Sequence, residues 1–223
     1  MSRLYLLILC YNLFMTKKIL KENYLYLILL ITLVLVFSFI MRSSLHDKII
    51  VFDLKVFEIL SKHINNILTN IFKVFTFLGD YYIPIAILVC ILIFIKNKWY
   101  FILQTACYSI AGIITYFSKL LAARPRPMDA MIKMPTTYSF PSGHTLTSIV
   151  FYVMLMYILT FKMDKNKRHV LMIIMLFFAS FIALSRIYLG VHYFSDVLGG
   201  AIIAIILIFM FTNIIRKNYG DKL

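Results

Sequence analysis

Long uncharged apolar runs separated by short clusters of Lys and Arg set the rhythm of this chain. Six such runs, at 23–41, 81–95, 99–118, 145–161, 170–185 and 197–215, come near the twenty or so residues that a helix needs to cross about 30 Å of hydrocarbon, the second and fifth being short. Lipid offers no partners to a bare backbone, so each run is predicted to be a helix that satisfies its own peptide groups. Between the first two runs, Phe52, Val56, Ile59, Leu60, Ile67, Ile71 and Phe75 recur at helical spacing, while Asp53, Lys55, Glu58, Lys62, Asn66 and Lys73 occupy the other face. An amphipathic helix lying in the outer membrane interface is expected over 46–80, with Gly79 and Pro84 marking the return into the membrane. The expected fold class is all-α: a polytopic membrane protein with a six-transmembrane-helix bundle and an interfacial helix between spans one and two.

Composition agrees with the pattern. A chain of 223 residues with 62% hydrophobic and 14% charged positions, and a mean hydropathy of +0.91, is too apolar for a water-soluble domain. The net charge of +14 raises nucleic acid as a partner, but the cations sit in the connectors, where membrane topology accounts for them. Lys17, Lys18 and Lys21 precede the first run, Lys96 and Lys98 the third, Lys162, Lys165, Lys167 and Arg168 the fifth, and Arg216, Lys217 and Lys222 follow the sixth. These regions fall on one side, so both termini are expected to be cytoplasmic, with Trp99 and Tyr100 in the aromatic belt of that side. The organisation expected is an N-terminal cytoplasmic segment over 1–23, one six-span domain over 24–215, and a tail over 216–223. The apolar run 4–15 is too short to span and lacks a small-residue cleavage site, and Met15, followed by Thr-Lys-Lys, is the expected true start. Cys10, Cys90 and Cys107 have no paired spacing and point to neither a disulfide framework nor a metal site. Gly199 and Gly200 in the last run read as close helix contacts.

Against this apolar background three polar clusters stand out, all on the outer side by the topology above. The first holds Lys119, Arg124 and Arg126 where the third run ends, with Pro125 and Pro127 expected to stop the helix near Ala123. Cations at a span end are ordinary, so this cluster alone is weak. The second is Pro141-Ser142-Gly143-His144 at the start of the fourth run, where Ser142 is expected to cap a helix whose free N–H groups favour an oxyanion. The third, 185–196, contains Arg186, His192 and Asp196; the four-residue spacing of the last two places both on one helical face, where the carboxylate can fix one imidazole nitrogen and leave the other as nucleophile or base. Together Lys119, Arg126, Arg186 and the Ser142–Gly143 backbone describe a pocket for a tetrahedral dianion.

The chain resembles the type-2 phosphatidic acid phosphatase family, the integral-membrane lipid phosphate phosphatases related to vanadium haloperoxidases. Its first motif, Lys, six residues, Arg-Pro, matches Lys119, Arg126 and Pro127, leaving Arg124 outside the pattern; its second, Pro-Ser-Gly-His, matches 141–144; its third matches Ser185, Arg186, His192 and Asp196. The resemblance covers about residues 24–215. It implies hydrolysis of a lipid phosphomonoester or diphosphate without a cofactor or metal. His192 would be the nucleophile supported by Asp196, and His144 the proton donor to the leaving oxygen. Lys119, Arg126, Ser142, Gly143 and Arg186 would bind the phosphoryl group. Undecaprenyl diphosphate is the expected substrate, phosphatidylglycerophosphate or phosphatidic acid the alternative, and a bacterial plasma membrane with the site on the outer face the expected location. A three-ligand metal site at His144, His192 and Asp196, and a non-enzymatic anion transporter or lipid-binding protein, are the competing readings.

Overall fold

The computed structural model describes residues 2–128 and 130–220, and side chains from 19 onward other than 20. Among these residues the chain is helical, in the order α1 (Ser2–Ile40), α2 (Leu45–Ser61), α3 (Asn66–Leu78), α4 (Tyr82–Phe94), α5 (Trp99–Ala122), α6 (Gly143–Leu159), α7 (Lys165–Tyr188) and α8 (Phe194–Asn218). The 4–15 run lies within α1, where its side chains, those of Met15, Lys17 and Lys18 included, fall outside the described residues; so does Lys222.

Four stretches are long and apolar enough to cross a membrane: 21–40 of α1, and α5, α7 and α8. A fifth arises if α3 and α4, bent by 47° where they meet, act as one span; α6, with 17 residues, is apolar but shorter. α4 lies on the expected second run, and at about 1.5 Å per residue its 13 residues alone fall short of the hydrocarbon thickness. The 46–80 connector is two helices, α2 and α3, rather than one. The chain breaks at 62–65, and the Asn65 side chain accepts a hydrogen bond from the Leu68 N–H at 2.9 Å to start α3 afresh.

α6 is the axis of the bundle, and α5, α7 and α8 all pack against it. Its apolar residues go all round because neighbours surround it: Leu146, Val150, Phe151 and Met154 are fully buried, facing Ala111 of α5, Ala179 and Ile182 of α7, and Ile203 and Leu207 of α8 in one core. Gln104 of α5 donates to the Phe151 carbonyl at 2.9 Å, a polar pin within that core. The outer faces stay apolar, with Phe39, Phe94 and Phe177 well exposed, as a lipid-facing surface requires. Helix ends fall where local chemistry puts them. α5 stops at Ala123, whose left-handed φ of 48° closes the helix just before Arg124-Pro125, and α7 starts on Asp164, whose carboxylate accepts from the Asn166 and Lys167 N–H groups.

Candidate active site

The C-terminal ends of α5 and α7, the N-terminal ends of α6 and α8, and the loops 123–142 and 189–193 meet at one end of the bundle. The Ser142 side chain caps α6, accepting from the Thr145 N–H and hydroxyl, and the Ser142 N–H is tied to the Asp196 carbonyl at 3.0 Å. Gly199 and Gly200 of α8 let this loop approach. A Cβ on Gly200 would sit 3.0 Å from the Ser142 carbonyl oxygen, and one on Gly199 would sit 2.4 Å from the Phe140 ring. Gly143 lies against Thr115 and the Lys119 stem, so the capped turn and the Lys119 ammonium share one space.

His192 precedes α8 rather than riding on it: Tyr193 is the N-cap, and Asp196 stands in the first helical turn. The expected same-face helical pair is therefore a loop-to-helix contact, with His192 Nδ1 3.3 Å from Asp196 Oδ2. The carboxylate is held by several donors: the Tyr193 N–H at 3.0 Å, the Ser139 hydroxyl, and the Arg124 guanidinium. Nδ1 faces an acceptor, so the Nε2 lone pair is free, and it points at Arg126 Nη1, 3.2 Å away. Burial pushes the His192 imidazole down to about 3, with Asp196 pulling the other way, so the ring is neutral at physiological pH.

Arg126 is oriented by the Thr137 carbonyl at 2.6 Å and the Val191 carbonyl at 2.8 Å, while Lys119 donates to the Tyr138 and Ser139 carbonyls. Arg186 lies close enough to Arg126 for their charges to interact, and its guanidinium donates to the Thr76 hydroxyl. His144 turns toward Asp80, with Nε2 3.1 Å from the carboxylate. The structure thus joins Lys119, Arg126, His192 and Asp196 through shared loop carbonyls and direct contacts. Arg186 and His144 belong to an adjoining half built with Thr76 and Asp80, and among the described residues no hydrogen bond joins His144 to His192. No cluster of three His, Cys, Asp or Glu among them is arranged to hold a metal ion.

Several residues here carry no motif. Arg124, outside the pattern, is entirely buried (0% exposed) and bridges Asp53 of α2 at 2.7 Å to Asp196 at 2.5 Å. Its Nε donates to His46, and its plane lies over the Tyr193 ring. Asp53 also accepts from the Ser195 N–H and hydroxyl, so it docks α2 onto the first turn of α8 instead of facing solvent. The sequence offered one signal, an acid flanked by Phe52 and Leu54 in a chain with few acids. Beside these residues a cavity of about 200 Å³, lined by Ile50, Leu54, Phe57, Met128, Ile187 and Phe194, opens on His192.

Residues 99–219 match the model of the PAP2 superfamily. The chain belongs to that superfamily. PAP2 phosphatases are metal-independent phosphoric ester hydrolases, and this chain is an enzyme of that class. It is similar to phosphatidylglycerophosphatase B of Bacillus subtilis, 27% identical over 165 residues that cover 72% of this chain and 77% of the relative. It is also similar to an undecaprenyl-diphosphatase of Sulfolobus acidocaldarius, 26% identical over 185 residues covering 80% and 85%. In fold it resembles the crystal structure of a transmembrane PAP2-type phosphatidylglycerolphosphate phosphatase from Bacillus subtilis, with TM-score 0.75, 22% identity, and coverage of 86% of this chain and 96% of that one. A second solved structure, Aquifex aeolicus LpxE, gives TM-score 0.53 at 25% identity, covering 72% and 94%.

Proposed function

We propose that the protein removes the terminal phosphate of a membrane lipid, undecaprenyl diphosphate first, through a phosphohistidine on His192. The observation that carries the reading is the His192 imidazole, neutral, locked by Asp196 through one nitrogen, and presenting the other to Arg126. Nε2 attacks phosphorus, an N–P bond forms as the P–O bond to the lipid breaks, and the departing oxygen takes a proton from His144. Asp80 orients the His144 ring from 3.1 Å. Asp196 stabilises the His192 imidazolium while it carries the phosphoryl group. His144 then removes a proton from water, which attacks phosphorus and frees His192. Lys119, Arg126, Arg186 and the Ser142–Gly143 turn hold the phosphoryl oxygens, where charge gathers in the transition state. The cations present supply the charge that a divalent ion would otherwise bring.

The same reading gives the molecule six spans, with α3–α4 as the second and α6 as the fourth. Both termini lie in the cytoplasm and the site lies at the outer face of a bacterial plasma membrane. The lipid bilayer and its phosphorylated lipids are the partners. The basic connectors lie at the end of the bundle away from His192, which supports this orientation. A second reading, phosphatidylglycerophosphate as substrate, is favoured by the Bacillus relative.

Both substrates and phosphatidic acid are to be assayed with purified protein in vesicles containing excess chelator. Turnover is expected to persist with chelator, to be at least about tenfold higher in kcat/KM for undecaprenyl diphosphate, and to fall by at least about 10³-fold in His192→Ala. Quenched reactions should hold an acid-labile, alkali-stable phosphoprotein that His192→Ala lacks. Near-wild-type turnover by that variant would remove the nucleophile assignment, and a preference for phosphatidylglycerophosphate would transfer the substrate to the second reading.

A further inference from the structure

At the end of the bundle away from His192, α1, α6, α7 and α8 enclose a cavity of about 270 Å³ whose wall includes Tyr26, Tyr157, Lys165, Arg168, His169 and Arg216, with no Asp or Glu among its lining residues. Arg168 is set in place: Nη1 donates to the Phe161 carbonyl at 2.6 Å, and the guanidinium lies over the Tyr157 and Phe161 rings at 5.2 and 5.5 Å. Its Nε is buried without a protein partner. The neighbouring acids among the described residues are engaged elsewhere. Asp164 caps α7, and Glu22 pairs with Lys217 at 3.9 Å. Among the described residues, three cations thus converge with no counter-charge on the wall.

This basic cup shares His169, Met172, Ile208 and Phe209 with a second cavity of about 340 Å³, completed by Val153, Ile173, Leu176 and Ile205. The two form one path, charged at its head and apolar along its length, in the cleft that α7 and α8 leave because both pack on α6 more than on each other. A free phosphate would satisfy only the head. A phospholipid satisfies both: its phosphate takes charge-assisted hydrogen bonds from the cup, and one acyl chain lies along the groove.

We infer that this path is a binding site for one anionic phospholipid, separate from the catalytic pocket, with Lys165, Arg168 and Arg216 holding its phosphate. The inference is independent of which lipid the enzyme hydrolyses. α7 and α8 carry Arg186 and Asp196 at their other ends, so a lipid seated between them braces the two helices that present catalytic groups.

The test is native mass spectrometry of the full chain released from detergent with phosphatidylglycerol or phosphatidylcholine. One phosphatidylglycerol is expected to be retained and phosphatidylcholine lost. The double variant Arg168→Gln/Arg216→Gln should weaken retention by about 25-fold, or about fivefold per cation. The catalytic-end variant Lys119→Gln/Arg126→Gln should keep it. Should the first double variant not fold, Ile205→Trp, which fills the groove and spares the cations, must lower retention several-fold. Equal retention of both lipids, retention untouched by either basic-cup or groove variant, or loss only in the catalytic-end variant would overturn the site. Displacement of the lipid by millimolar inorganic phosphate alone would also overturn it, because the cup would then be an anion site with no use for the groove.

Discussion

Arg124 stands between two carboxylates with no water access, and removing one partner of a buried pair costs about 3–5 kcal/mol because the remaining charge is stranded. Asp53→Ala is therefore expected to lower the melting temperature strongly in detergent and to reduce kcat at least tenfold with little change in KM, since Asp196 loses its orientation while the phosphate cradle stays. Asp53→Ala/Arg124→Ala should cost less stability than the sum of the single changes, and additive losses would show that the three side chains do not act as a unit. His192 sets a second expectation. Its folded-state pKa lies below the unfolded value of about 6.5, so the unfolded chain binds the proton first as pH falls. The stability it contributes is complete above pH 6.5 and is lost below it, by up to about 1.4 kcal/mol per pH unit toward the folded value. Thermal unfolding from pH 7 to 5 should fall less steeply for His192→Asn than for wild type, and parallel curves would contradict the buried neutral ring. The candidate residues singled out from sequence, Lys119, Arg126, Ser142, Gly143, His144, Arg186, His192 and Asp196, were those whose types and spacing form a motif. Asp53 and Asp80 were not legible as site residues, because they reach the site from α2 and the α3–α4 break, regions whose pattern speaks only of amphipathicity.

At the level of elements, the close approach of α8 to the 139–142 loop holds the capped turn at Ser142–Gly143 in place. A Cβ at Gly199 would overlap the edge of the buried Phe140 ring, which forces the ring to shift beside Pro141-Ser142, whereas a Cβ at Gly112 meets nothing within 4 Å. Gly199→Ala is expected to cut kcat/KM by at least about tenfold, following the cost of misplacing catalytic groups by about 1 Å. Gly112→Ala should leave activity unchanged and stabilise α5 by up to about 1 kcal/mol. Unchanged turnover in Gly199→Ala would show that the turn tolerates the shift. Both glycines of α8 were readable as contacts because small residues in an apolar span let backbones approach. Helix ends at Ala123 and Ser142 were readable too, from the prolines and the cap. The break at 62–65 was not: the apolar positions from Phe52 to Phe75 keep one helical period across it, and only the Asn65-Asn66 pair marks the new start. The helical register of His192 with Asp196 misled for a related reason, since a loop residue just before an N-cap can reach the third helical residue as readily as one on the helix.

For the whole molecule, the candidate site and the basic connectors lie at opposite ends. The clustered site lies where α5 and α7 end and α6 and α8 begin, while Lys165, Lys167, Arg168, Arg216 and Lys217 gather at the other end, where Trp99 packs against Tyr219. Positive connectors are retained in the cytoplasm, so the site should open outward. Met128, 94% exposed beside the candidate site, and Met163, 45% exposed in the α6–α7 connector, report on the two ends. With Cys10, Cys90 and Cys107 replaced by Ser, Met128→Cys is expected to react with a membrane-impermeant maleimide on intact cells. Met163→Cys should react only after permeabilisation. The reverse pattern would turn the enzyme over in the membrane, place the phosphate-binding pocket on the cytoplasmic side, and exclude substrates presented only to the outer leaflet, while leaving the chemistry of His192 unaffected. Labelling of both positions on intact cells would instead mean that the chain inserts in two orientations, and the asymmetry of its Lys and Arg would then be too weak to fix its topology.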